Sequence, residues 1–284
     1  MKLAVASGKG GTGKTMIASS LAATAAMDRP VRFLDCDVEA PNAHLFLKPT
    51  IEQVEEAFIP VPEIDPSACT LCGRCVDVCT FHALAKLGTQ ILVFPQLCHG
   101  CGSCTLQCPE DAITEKPRPI GNLTFGITKE GIQFNQGELT ISEPMPTPII
   151  RQLKDSMAED EMLTILDSPP GASCSVVTTV HDVDFLLLVT EPTAFGLHDL
   201  QQMLGIVEQT GTSVGVIINR AGVDNTALEE LLVEQSIPVL MRIPYRSEIA
   251  AALAGGSLLV EQFPEYKPAF VSLLQDIQRI ARGT

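Results

Sequence analysis

Eight of the ten cysteines fall in two runs of the same spacing, Cys69, Cys72, Cys75, Cys79 and Cys98, Cys101, Cys104, Cys108. Each run reads Cys-x2-Cys-x2-Cys-x3-Cys, and the second is the first shifted by 29 positions. Three thiolates so close in sequence can surround one iron–sulfur cubane, and the fourth then comes from the other run. Cys69, Cys72, Cys75 and Cys108 are therefore expected to hold one [4Fe-4S] cluster, and Cys98, Cys101, Cys104 and Cys79 a second. Crossed ligation forces the two runs into one compact unit. That unit has too few large apolar residues to bury a core of its own, so it is expected to be disordered without metal. Two structural zinc sites, each with four thiolate ligands, are the competing reading. Pro109 follows the second run, whereas Thr80 stands at the matching place in the first. His82 and His99 lie near the expected ligands and are read as flanking residues.

Upstream stands Gly8-Lys9-Gly10-Gly11-Thr12-Gly13-Lys14-Thr15. Glycines here let the backbone wrap a phosphate chain with its N–H groups inward, and the helix that follows adds the positive end of its dipole. Lys14 is expected to reach the β and γ phosphates of ATP or ADP, and Thr15 to ligate Mg²⁺.

The rest of the chain alternates continuous apolar strands with helices. Strands are expected at 3–6, 31–34, 162–167, 185–189, 214–218 and 239–243. Helices are expected from the phosphate loop to Ala26, then near 148–157, 197–209, 247–254 and 267–282. Segments 123–128 and 132–141 read as short antiparallel strands. Such a pattern predicts an α/β fold, a mostly parallel sheet with helices on both faces. Pro60, Pro62, Pro66, Pro117 and Pro119 bracket the cysteine runs. The expected division is therefore a discontinuous body, 1–61 and 118–284, and an inserted small α+β unit, 62–117.

Two further features sharpen the reading. Lys9 is a second lysine inside the phosphate loop, and downstream lie Leu34-Asp35-Cys36-Asp37 and Leu166-Asp167-Ser168-Pro169-Pro170-Gly171. With Val189-Thr190-Glu191-Pro192-Thr193 and Ile217-Ile218-Asn219-Arg220, these resemble the deviant-phosphate-loop ATPases of the MinD/Mrp/nitrogenase iron protein group. The whole chain is most similar to the members that carry an inserted bacterial-ferredoxin-like domain. The resemblance implies that Lys9 crosses a homodimer interface to the partner's phosphates. It implies that Asp37, in switch I, orients the attacking water and that Asp35 supports the Mg²⁺ site. Asp167 becomes the Walker-B-type aspartate and Gly171, in switch II, the γ-phosphate sensor. Asn219 and the segment around Pro244 hold adenine. Cys174, seven residues past Asp167, has an offset similar to that of the nitrogenase iron protein's ligand cysteine. It is thus a candidate for an extra inter-subunit site. A small buried residue is the alternative reading for Cys174, as it is for Cys36.

The formal net charge of −15 repels nucleic acid and anionic lipid, so a protein partner is expected and DNA or RNA is not. No stretch reaches the ~18 apolar residues of a membrane span, and the first strand starts at once, so a cytoplasmic chain without stable membrane insertion is expected. In a reducing compartment, clustered cysteines indicate metal or redox chemistry. Three functions fit. One is an ATPase whose nucleotide-dependent dimer closure is coupled to electron transfer through the clusters, with an unidentified redox protein as donor or acceptor. The second is an ATP-dependent iron–sulfur scaffold or carrier. That group uses a close cysteine pair in its C-terminal half, and no cysteine follows Cys174 here. The third is a positioning ATPase with structural clusters. The apolar residues of the C-terminal helix (Phe270, Leu273, Leu274, Ile277, Ile280) read as core, not as a membrane-binding face.

Overall fold

The computed structural model describes residues 1–157, 161–222 and 226–283. Its strands are β1 (Lys2–Ala6), β2 (Val31–Asp35), β3 (Thr50–Ile64), β4 (Leu84–Leu87), β5 (Gln90–Val93), β6 (Ile113–Ile127), β7 (Gln133–Leu139), β8 (Leu163–Asp167), β9 (Phe185–Thr190), β10 (Ser213–Ala221) and β11 (Val239–Pro244). The helices are α1 (Lys14–Ala25), α2 (His44–Leu47), α3 (Arg74–Asp77), α4 (Ser103–Leu106), α5 (Thr147–Asp155), α6 (Cys174–Val180), α7 (Ala194–Thr210), α8 (Thr226–Glu234), α9 (Ser247–Ala254), α10 (Leu259–Gln262) and α11 (Lys267–Ala281).

Nine strands form one sheet in the order β11-β10-β9-β1-β8-β2-β7-β6-β3. From β11 to β7 every pairing is parallel; β6 and β3 are added antiparallel. The central strands β1, β2, β8 and β9 are buried at every position but Lys2, and largely apolar, because both faces are covered. On β1, Leu3 and Val5 join a core with α1 and α11, while Ala4 and Ala6 join a second core with α5, α6 and α7. Phe270, Leu273, Leu274 and Ile277 of α11 are buried in the first of these. Their apolar stripe is therefore spent on packing. No described helix is long and apolar enough to cross a membrane.

Phe33 and Phe134, cross-strand neighbours on β2 and β7, stack with ring centroids 6.1 Å apart and no exposure. Phe134→Ala opens a cavity between layers that cannot collapse. It should cost about 3–5 kcal/mol, read as a lower denaturation midpoint by circular dichroism.

The cysteine segment rides on a long arm. β3 and β6 pair over their whole lengths, from Thr50↔Ile127 to Ile64↔Ile113, and run past residues 61/62 and 117/118 without a break. Of the prolines expected to edge the insert, Pro60, Pro62, Pro117 and Pro119 lie inside this ladder, and Pro66 lies just beyond it. β3 is the edge strand, and β7 pairs with β6 only from Gly121 onward. Pro117 and Pro119 thus sit where β6 also has an open side, the setting in which a strand tolerates proline. The helix expected to begin near 148 starts at Thr147 and ends at Asp155. The strand expected at 123 begins ten residues earlier, at Ile113.

Candidate functional site

The phosphate loop leaves the carboxyl end of β1, near the middle of the sheet, where parallel α/β sheets place ligands. Gly13 caps α1 in the left-handed conformation (φ 95°), and a Cβ there would lie 2.5 Å from Asn219 Nδ2. At Gly8 a Cβ would collide with the Asp199 backbone of α7. Gly8→Ala must therefore displace either the loop or α7. A nucleotide titration should show at least about tenfold weaker binding, a shift of ~1.4 kcal/mol.

Lys14, Thr15, Asp35, Asp37 and Asp167 meet at the head of this loop. Thr15 Oγ1 donates to Asp167 Oδ2 at 2.6 Å, and Lys14 Nζ lies 3.9 Å from Asp167 Oδ1. That second carboxylate oxygen is fully buried and has no hydrogen-bond partner. A hydroxyl and a half-used carboxylate side by side are hard oxygen donors, so these residues fit Mg²⁺. Asp35 is spent on the following loop, taking N–H bonds from Asp37 (3.2 Å), Asn42 (3.0 Å) and Ala43 (2.9 Å). Burial, then the charge of Asp167, pushes its carboxyl up to about 8. Burial likewise lifts Asp37 to about 6 against the pull of Lys14, and raises Asp167. Buried carboxylates this close repel one another, and a divalent cation relieves that.

Most of the expected nucleotide residues line one cleft of about 280 Å³, from which Gly8, Lys9 and Thr12 are absent. Gly10, Gly11, Gly13, Lys14, Thr15 and Asp37 form its phosphate end; Asn219 and Pro244 lie along it. Thr12 is buried behind it, with its carbonyl accepting from Asn219 Nδ2 at 2.7 Å. Phe46, Tyr245, Ile249 and Leu253 add an apolar end suited to a base. Gly171 takes a left-handed turn (φ 93°), and its N–H donates to Ser7 O, tying the segment after Asp167 to the phosphate loop.

Within one chain Lys9 does not face this cleft. Its Nζ is 2.6 Å from Glu191 Oε1, while Arg220 Nη1 binds Glu191 Oε2 at 2.9 Å and Arg220 Nη2 the Gly11 carbonyl at 2.9 Å. Burial works to raise the Glu191 carboxyl, but the two cations outweigh it and hold it below its usual range. Neither Glu191 nor Arg220 has a role that sequence reasoning assigns. Their only signal was their membership of the two segments Val189–Thr193 and Ile217–Arg220.

At the far end of the arm the two cysteine runs form a structural repeat. Gly73 and Gly102 cap α3 and α4 in left-handed conformations. Ala83 N–H points at Cys79 Sγ (3.3 Å) and Ala112 N–H at Cys108 Sγ (3.4 Å). His82 and Asp111, also 29 apart, both have positive φ. Cys69, Cys72, Cys75 and Cys108 line one cavity with Ile64, Ile91 and Ile113. Cys98 lies against the arm, its Sγ 3.8 Å from Pro60 O, and accepts from Gly100 N–H at 3.4 Å. It shares a core with Cys79 at the end nearer the sheet. Cys101 and Cys104 complete the second run, one exposed and the other buried. Among the described residues, no three His, Cys, Asp or Glu side chains are gathered around a point as a single ion requires. Backbone amides already aimed at sulfur, and thiols ringing a void, suit a larger thiolate-bound group. His99 stacks on Phe81 with centroids 3.6 Å apart. Cys36 is buried, and Cys174, the first residue of α6, is exposed.

Residues 3–260 match the CbiA family, described as the CobQ/CobB/MinD/ParA nucleotide binding domain. The chain belongs to this family. As a CobQ/CobB/MinD/ParA-type protein it is a nucleotide-binding ATPase with a phosphate loop. An uncharacterized protein of Methanocaldococcus jannaschii is 30% identical over 280 residues, 98% of this chain and 96% of its own length. An uncharacterized ATP-binding protein of the same organism is 25% identical, covering 96% of this chain and 84% of itself. The cytosolic Fe-S cluster assembly factor NUBP2 of Gallus gallus is 26% identical over 159 residues, 49% of this chain and 58% of that protein. In fold, the chain is similar to the septum site-determining protein MinD of Pyrococcus horikoshii complexed with Mg-ADP. That likeness has a TM-score of 0.61 at 18% identity and spans 99% and 96% of the two chains.

Proposed function

We propose that this ATPase couples nucleotide-dependent closure of a homodimer to electron transfer through two [4Fe-4S] clusters carried on the 62–117 insert, a ferredoxin-like unit. The observation that carries this reading is the cavity lined by Cys69, Cys72, Cys75 and Cys108, three thiols of one run and the last of the other. Bound clusters would supply one-electron redox chemistry.

The chain's own residues divide the work. Lys14 and the loop amides bind the phosphates of ATP, while Thr15 and Asp167 hold Mg²⁺. Asp35 fixes the loop that carries Asp37, and Asp37 orients the attacking water. Lys9 completes the charge stabilisation from the second subunit, as a cation supplied in trans does in related phosphoryl transfers. Asn219, Pro244 and the apolar end of the cleft take the base. Cys174, exposed beside switch II, is the residue to test for an extra site shared between subunits.

Anaerobically purified protein is expected to contain about eight irons per chain, with a paramagnetic signal after dithionite. Nucleotide affinity should then differ between oxidised and reduced forms. Material with far fewer irons and one affinity for both forms overturns the proposal. The likeness to an Fe-S cluster assembly factor favours a second reading, an ATP-dependent scaffold or carrier. It predicts that iron passes to an apo-acceptor faster than to a chelator.

A further inference from the structure

Helix α5 touches both halves of the machine. On one side, Lys154 Nζ donates to the carbonyls of Thr178 (2.8 Å), Thr179 (3.2 Å) and His181 (2.6 Å) at the C-terminal end of α6. α6 begins three residues after Gly171, so it continues directly from the loop that carries Asp167 and Gly171. Toward the arm, Gln152 Oε1 accepts from Phe58 N–H at 3.1 Å and its Nε2 donates to Phe58 O at 2.9 Å. The side-chain amide thus pairs with the open edge of β3 as another strand would. Phe58 stands two residues before Pro60, whose carbonyl meets Cys98 Sγ. The loop entering α5 adds a second hold, Glu143 gripping Arg118 of β6 with both oxygens (2.6 and 3.1 Å).

The helix between these grips is stiffly seated. Ile149, Ile150 and Leu153 are fully buried. Gly121 and Gly137 leave room for Ile149, because a Cβ at either position would lie 2.5 or 2.8 Å from it. A close-packed element of this kind moves as one piece when its contacts shift. One helix therefore joins the switch II helix to the strand segment that abuts Cys98.

We propose that α5 is the relay between nucleotide and cluster, with Lys154 and Gln152 as positioning residues at its two grips. The relay rests on the coupling proposed above. Movement of α6 on nucleotide binding displaces Lys154, and Gln152 carries that displacement into β3 beside Cys98. Coupling of this kind is reciprocal, so the redox state of the insert alters nucleotide affinity through the same helix.

The test uses full-length protein purified anaerobically, oxidised or reduced with dithionite, and titrated with a non-hydrolysable Mg-ATP analogue. In the parent, the two affinities should differ by about fivefold or more. Gln152→Ala and Lys154→Met should each bring the ratio below about twofold while iron content and basal ATPase rate stay at parent values. Gln152→Glu keeps the bond from Phe58 N–H and loses the donation to Phe58 O, so it should fall between. Equal affinities in the parent remove the coupling itself, and the relay with it. A redox-dependent parent whose variants keep the full ratio overturns the relay alone. Loss of iron in all three variants, with the fold intact by circular dichroism, makes α5 a structural support for the insert and also overturns the relay.

Discussion

Replacing Lys9 by alanine lowers the ATP turnover rate by about 10³-fold or more and leaves Mg-ADP affinity within a few-fold of the parent. The reason lies in the division between the two loop lysines. Lys14 is buried at Asp167 and lines the cleft of its own chain. Lys9 is partly exposed, turned away from the cleft and held by Glu191. A lysine so placed does not line the cleft of its own chain, and under the proposed mechanism it acts when it is delivered to a second subunit. The parent's rate per chain should accordingly rise with protein concentration, and that dependence should vanish in Lys9→Ala. Steady-state phosphate release over a range of protein concentrations measures both effects. A Lys9→Ala rate within tenfold of the parent would show that the lysine is dispensable.

Cys108→Ala is expected to remove the cluster proposed for the first run, although Cys108 belongs to the second. The cavity lined by Cys69, Cys72 and Cys75 takes its fourth thiol from Cys108, so about half of the iron should be lost. Cys79→Ala should produce the mirror result, sparing the cavity that Cys108 completes. Removing all iron should have a larger structural effect. The insert's own buried cluster is Cys75, Leu84, Cys104 and Ile113, half of it cysteine. Chelation should therefore expose the amides of 65–112 to hydrogen exchange while β1 and β8 stay protected. Equal iron loss from both sites in each single variant would contradict crossed ligation, and an insert that stays protected without metal would contradict its dependence on iron.

The phosphate loop, the central strands and the cysteine repeat were legible in the sequence because each has a local chemical cause. Glycines fix the loop, uninterrupted apolar runs mark strands covered on both faces, and thiol spacing follows from ligand geometry. The arm was not legible. Thr50–Phe58 contains Glu52, Glu55 and Glu56, and all but one of its residues are exposed, so no period-two pattern develops. Pro60 and Pro62 then read as breakers, although an edge strand accommodates them. Helix α8 went unread, in a stretch following an Asn-Arg-Ala-Gly sequence. The Lys9–Glu191–Arg220 bracket was equally hidden, because Lys9 lies more than 180 positions from Glu191 and Glu191 lies 29 from Arg220, so no local pattern encodes it.

The open flank of β3 carries a further consequence. A fifteen-residue strand whose outer side is met by no other described strand, and by the Gln152 side chain at Phe58, is a template on which another chain can assemble. This flank is guarded by Glu52, Glu55 and Glu56 near its root and by two prolines lacking N–H donors farther along. Neighbouring chains would therefore repel one another along this flank instead of stacking into fibrils, so a long extended arm need not invite aggregation.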